Sequence, residues 1–189
     1  MRNVDIESDA VDAVCEAGVM VPAGGDNIAF AHHVLFDHIA GRFYLDADDP
    51  AKLHLQLSGD PTIGLVLGPA LCFALERMWQ ADTGGRPRTW RFLADLASEA
   101  EPDPIVLSVA LRTAAEQVEG PADVAGLRAL LETSTDLDAV GKLLGQVARF
   151  VGMAAGQPPA EYLPAAVAEA WAAVAQLAAG LSNPRAADA

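Results

Sequence analysis

Three aspartate-proline pairs, Asp49-Pro50, Asp60-Pro61 and Asp103-Pro104, constrain this chain more than any other feature. Each is a helix start. The carboxylate accepts from backbone N–H groups that have no partner inside the helix, and proline at the first helical position already has the helical φ and gives up no hydrogen bond. Gly120-Pro121 and Gln157-Pro158-Pro159 are weaker versions of the same signal. The predicted helices cover residues 50–58, 61–82, 104–119, 121–133 and 159–180. Arg86-Pro87 opens another, through Ser98, with Trp90, Leu93 and Leu96 or Ala97 on one face.

Apolar periodicity supports these assignments. Thr135-Asp136-Leu137-Asp138 resembles a capping box, and after it Leu137, Val140, Leu144, Val147 and Val151 recur at spacings of 3, 4, 3 and 4, one continuous buried stripe. Val124, Leu127, Leu130 and Leu131 form the stripe of the preceding helix, which predicts an antiparallel pair joined across Glu132–Ser134. In the alanine-rich last helix, Leu163, Val167, Trp171, Val174 and Leu177 share one side, and the small polar tail 182–189 is expected to be disordered.

The first 45 residues have a different grammar. Ser8 can cap a helix that Gly18 ends; two short β-capable runs, Val19–Ala23 and Asn27–Ala31, then flank Gly24-Gly25-Asp26. A helix from His32 to Leu45 follows. Helix, hairpin, helix is the second half of a winged helix, so the predicted fold is mainly α: a partial winged helix over residues 1–45, with its hairpin near 19–31, and then a helical region over 46–181 that is α-solenoid-like or an irregular bundle. The missing earlier helices lead us to expect a fragment, or a chain that begins inside a longer protein's domain.

Composition narrows the function. With 52% hydrophobic residues the 189-residue chain can bury a core, and 26 acidic against 12 basic side chains give a net charge of −14. Such a surface repels nucleic-acid phosphate and anionic lipid. Cys15 and Cys72 stand apart in apolar settings, which fits reduced thiols. The acidic N-terminus is no signal peptide, and the longest apolar stretch, Ile63 to Leu75, is broken by Gly64, Gly68 and Pro69 and falls short of the ~20 residues of a membrane span. A cytoplasmic location is expected.

One segment carries more than generic helix chemistry. Phe30, His32, Leu35, Asp37 and Ala40 fill places in the pattern Phe-x-His-x-x-Phe-x-Glu-Tyr-x-Ala-Ala, with Leu35 for the aromatic and Asp37 for the glutamate. This resembles the end of the winged-helix subdomain of NACHT-type and related STAND nucleotide triphosphatases, over roughly Ala13 to Leu45. The resemblance implies that His32 contacts the β-phosphate of ADP held by an upstream ATPase core. A histidine where a helix begins is well placed for an anion. No GxxxxGK[ST] phosphate loop occurs, nor a strand ending in paired acids for magnesium, so this chain is expected to hold no nucleotide alone and to have no catalytic residues; ADP or ATP would come with a partner domain.

Other candidates have plainer explanations. His33 and Asp37, one helical turn apart, and His38 beside them lack the further convergent ligand that a zinc site needs, and nothing ties His54 to them. None of Ser58, Ser98, Ser108, Ser134 and Ser182 sits in a nucleophile elbow. Trp79, Trp90 and Trp171 fall on apolar helix faces, as core residues do. Asp46, Asp48 and Asp49, like Glu99, Glu101 and Asp103, lie at helix boundaries, where acids cap. A DNA reader is disfavoured because the helix Asp9–Ala17 is acidic and the wing lacks lysine and arginine. Two functions remain: a non-catalytic regulatory or scaffold region of a STAND-type signalling ATPase, and a free-standing acidic helical adaptor for a protein partner.

Overall fold

The computed structural model describes residues 8–25, 27–58, 62–81, 84–133, 140–147 and 164–181. It is mainly helical with one antiparallel hairpin. Helix α1 is Ser8–Glu16, strands β1 and β2 are Met20–Pro22 and Ile28–Phe30, and α2 is His33–Ile39, followed by a π-helical turn Ala40–Tyr44. Then come α3 (Pro50–Leu57), α4 (Ile63–Trp79), α5 (Gly85–Ser98), α6 (Pro104–Glu116), α7 (Ala125–Thr133), α8 (140–147) and α9 (Ala165–Leu181).

The local signals act as expected at several starts and stops. Asp49 Oδ1 accepts from the backbone of Ala51 (3.1 Å) and Lys52 (3.2 Å), and Asp103 Oδ1 from Ile105 (2.8 Å) and Val106 (3.1 Å). At the end of α1, Gly18 adopts φ +69°; its N–H bonds to the Cys15 carbonyl while Val19 N–H reaches Val14, the paired bonds of a Schellman stop. Gly24 and Gly25 both take positive φ in the hairpin turn, which pairs Met20 with Phe30 and Pro22 with Ile28.

α4 is the hub, packed by α2, the π turn, α3, α5 and α6. Small residues permit the approach. A Cβ on Gly68 would lie 3.4 Å from Ile105 Cγ2, and one on Gly64 would fall on the Asp103 carboxylate, whose Oδ2 accepts from Gly64 N–H at 3.3 Å. Pro69, inside α4, is exposed, so its ring faces away from the core. Trp79 and Trp90 meet edge to face, centroids 5.6 Å apart, and both are buried; Trp171 is half-buried against the same core. The α8 stripe holds Val140, Leu144 and Val147 in the core as the spacing requires, with Leu143 beside them.

Some boundaries differ from expectation. The helix expected from Pro121 begins at Ala125, because the buried Asp123 carboxylate accepts from the backbone of Glu119 (2.9 Å) and Gly120 (3.0 Å) and so holds the preceding residues in turns. Arg86 Nε sits 2.8 Å from the same carboxylate, and Trp90 Nε1 donates to the Asp123 carbonyl at 2.7 Å. The helix expected over His32–Leu45 is α2 plus the π turn. The Asp60-Pro61 pair, the capping box at Thr135, Leu137, Val151, residues 159–163 and the tail 182–189 lie outside the described residues.

Asp103 caps α6 and bonds the first turn of α4 at once. Asp103→Ala is expected to lower unfolding free energy by about 2 kcal/mol in chemical denaturation, whereas Asp48→Ala, at an exposed residue whose side chain caps neither helix, should change it by less than about 0.5 kcal/mol.

Candidate functional site

Among the described residues, none before Ala40 is buried. α1, the hairpin and α2 therefore form a layer with no core residue of its own. The layer is held by Phe30 against Phe36, ring centroids 5.8 Å apart, and by half-buried side chains of α2 lying on α4. A two-stranded hairpin alone is marginal in water, so what covers or supports it decides whether it persists.

The π turn gives this layer its shape. Leu45 N–H reaches back to Ala40 carbonyl at 2.9 Å, an i to i−5 bond that widens the helix by one residue. The wide turn lets buried Gly41 lie directly on the backbone of α4: an added Cβ there would clash with the Ala70 carbonyl and fall 2.8 Å from Phe73 Cβ. Three carbonyls at its end find a side chain. The Arg77 guanidinium donates to Arg42 and Leu45 carbonyls, and Gln56 Nε2 donates to Tyr44 carbonyl at 2.6 Å while its Oε1 accepts from Asp46 N–H at 2.9 Å. With the backbone fixed this way, Phe43 and Tyr44 project outward, 76% and 58% exposed.

These aromatics border a hollow of about 450 Å³. Phe30 and Phe36 come from the hairpin and α2, Ile39, Ala40, Phe43 and Tyr44 from the α2 end and π turn, and Ile63, Val66 and Leu67 from the first turns of α4. Not one of the nine is charged. Val66 is 54% exposed, and Val34 and Leu65 are exposed as well. Exposed apolar side chains grouped around a hollow are candidates for contact with another molecule.

His32 stands at the N-cap of α2 in an extended conformation (φ −133°, ψ 130°), exposed, with no hydrogen bond from its side chain to the helix it precedes. His33 is exposed, Asp37 half-buried, and His38 lies edge-on to Phe73 with ring centroids 5.2 Å apart. Among the described residues, no group of three or more histidine, cysteine, aspartate or glutamate side chains is placed to hold a metal ion. No helix among them is long and apolar enough to cross a membrane.

No family model, curated protein or solved structure matches this chain. The site must be read from its own chemistry.

Several other polar groups are tied into the fold. Ser58 and Ser98 hydroxyls donate to the carbonyls of His54 and Asp95 in their own helices. The acids at 46–49 build a turn: Asp46 accepts from the backbone of Asp48 and Asp49 and from Lys52 Nζ at 2.7 Å, and Lys52 holds the Asp46 carboxyl below its ordinary pKa. A second hollow of about 490 Å³ lies over Gly84, Gly85, Gln117 and Glu119, but its cation, Arg86, is already paired with Asp123. His54, which the sequence ties to nothing, bridges α3 to the end of α5 through Glu99 Oε1 at 2.8 Å. Sequence reasoning also missed Phe43, Tyr44 and Val66; the visible signal was an aromatic pair two residues past Ala40-Gly41, inside what otherwise reads as one helix.

Two outcomes follow from these contacts. Gly41→Ala is expected to destabilise the protein by about 1–3 kcal/mol, read as a lower melting temperature, because the added methyl has no room against α4. At Asp95, burial raises the carboxyl pKa while His54 and Arg91 pull it down. A raised folded-state pKa means that stability is lost as pH climbs through it. Asp95→Asn should therefore raise the melting temperature at about pH 7 and leave it unchanged at about pH 3, where the carboxyl is protonated folded or unfolded.

Proposed function

We propose that this chain is a non-catalytic regulatory module of a STAND-type signalling ATPase, docked on an ATPase core through the apolar face of α2, the π turn and α4. The observation that carries the reading is that the helix, hairpin and helix layer buries no residue of its own while presenting an uncharged hollow rimmed by Phe43, Tyr44 and Val66. A layer built this way gains its missing apolar burial only from a second surface. His32 supports the same reading: it is exposed at the head of α2 and makes no capping bond, so its imidazole is available to a phosphate brought by the docked core. The nucleotide itself would be held by the core, with His32 as this chain's one contact. Docking would then couple nucleotide state to the helices that follow.

A second reading rests on the same face without nucleotide. The chain would be an acidic helical adaptor that receives a protein partner in the hollow, and the net charge of −14 favours it because a surface so acidic selects a basic partner over most others.

The readings separate experimentally. In a protein joining this region to a phosphate-loop ATPase core, isothermal titration with ADP is expected to show binding weakened at least about tenfold by His32→Ala. The double variant Phe43→Ser/Val66→Ser should weaken association with that core by at least about tenfold as well, since exposed aromatics at a docked surface carry much of its affinity. Unchanged ADP affinity in the histidine variant would leave only the adaptor; unchanged association in the double variant would remove the docking face from both.

A further inference from the structure

We propose that α1 and the hairpin open together as one unit while α2 and the π turn stay in place, so that the state of this unit sets the shape of the apolar hollow. The inference goes beyond the docking reading and stands without it. It rests first on the order of packing. In their main contacts α1 packs on β1, β1 on β2 and β2 on α2, a series that reaches the body of the protein only where α2 meets the π turn and α4. α4, by contrast, is held by α2, the π turn, α3, α5 and α6. A unit attached in series can leave without disturbing what lies beyond its joint, and a short helix with a two-stranded hairpin has little stability of its own to prevent it.

The hydrogen bonds divide at the same joint. Val19 N–H reaches the Val14 carbonyl in α1, and the Val19 carbonyl accepts from Ala31 N–H, both at 3.0 Å, so one residue ties the helix and the hairpin into a single unit. That system ends at Ala31. The next begins at His32, whose carbonyl accepts from Leu35 at 3.1 Å and Phe36 at 3.4 Å to start α2, while its own backbone is extended. Parting the two systems there chiefly costs apolar contact, Phe30 against Phe36 with ring centroids 5.8 Å apart. Beyond the joint the chain is clamped: Gly41 lies on the Ala70 backbone, Arg77 and Gln56 hold the carbonyls of the π turn, and Ala40 and Leu45 are buried. Opening therefore carries Phe30 out of the wall of the hollow and uncovers Phe36, whereas Phe43, Tyr44 and Val66 keep their places on the π turn and α4.

Native-state hydrogen exchange on the whole chain at neutral pH tests this. Corrected for intrinsic rates, the Val19 and Ala31 amides are expected to exchange within about threefold of one another and at least about a hundredfold faster than those of Leu71, Leu75 and Ala110 in α4 and α6. The Leu45 amide, bonded to the Ala40 carbonyl, should be protected like α4. Denaturant well below the unfolding transition should speed Val19 and Ala31 less than Leu71, because the opening exposes little surface. Phe30→Ala should speed the Val19 and Ala31 amides by at least about fivefold and leave Leu71, Leu75 and the melting temperature unchanged. Gly18→Ala, which places a Cβ on a residue at φ +69°, should do the same. Val19 and Ala31 as well protected as Leu71, unrelated rates at those two amides, or variants that speed every amide alike or lower the melting temperature would each overturn the proposal. So would a Leu45 amide that exchanges with the hairpin, since the boundary would then lie beyond the π turn. These measurements need no partner, so they leave the docking reading to its own test.

Discussion

The seating of Gly41 on the Ala70 carbonyl controls both halves of this molecule. That contact needs a residue without a Cβ and a turn wider than an α-helix, and the sequence supplies the first while the fold supplies the second. Once the π turn lies on α4, Ala40 and Leu45 enter the core and Phe43 and Tyr44 cannot. The same backbone event therefore closes the core at one end and opens the apolar hollow at the other. On the far side of α4, Gly64 and Gly68 admit α6 in the same way, and at its C-terminal end Gly85 lies so close to the Met78 and Trp79 carbonyls that α5 starts with no space for a side chain. The hub works because its neighbours can approach backbone to backbone.

Side-chain polarity then fixes what small residues only permit. Asp103, Asp123 and Arg77 each hold two or more backbone groups of a segment that would otherwise end with open donors or acceptors. Asp123 is buried with a full set of partners, including Arg86, so removing its carboxylate would strand several donors at once. These are structural carboxylates. Within the acidic clusters, Asp49 and Asp103 cap helices and Asp46 holds the turn that follows it and Lys52.

What was legible in the sequence was local. Asp49 and Asp103 cap where the aspartate-proline pairs stand, Gly18 stops α1, the glycine turn joins two short strands, and the stripe through Val140, Leu144 and Val147 faces inward. Each of these is decided within a few residues. The features that escaped are decided by distant partners. Pro121 carries the helix-start signal, yet the helix waits until Ala125 because the Asp123 side chain organises the turn before it. The break after Ile39 depends on Arg77 and Gln56, 35 and 12 residues away from the carbonyls they hold. No periodicity reports such contacts, so a single helix was the natural expectation over His32–Leu45.

The apolar hollow was illegible for a further reason: exposure is a property of what fails to pack. Val66 and Leu65 sit in the apolar run from Ile63 to Leu75, which reads from sequence as uniformly buried, yet α6 covers the side with Gly64 and Gly68, the π turn lies on Ala70 and Phe73, and Val66, one turn before Ala70, stays exposed. Leu65 and Val66 lie where no described element covers the helix completely. A helix apolar on every side is ordinarily enclosed on every side. α4 is enclosed on part of its circumference, beside a layer that itself lacks a core, and both deficits lie at the same place, around Phe30, Phe36 and Val66. The two shortages of burial coincide in space among the described residues, and that coincidence is the physical basis of the docking proposal.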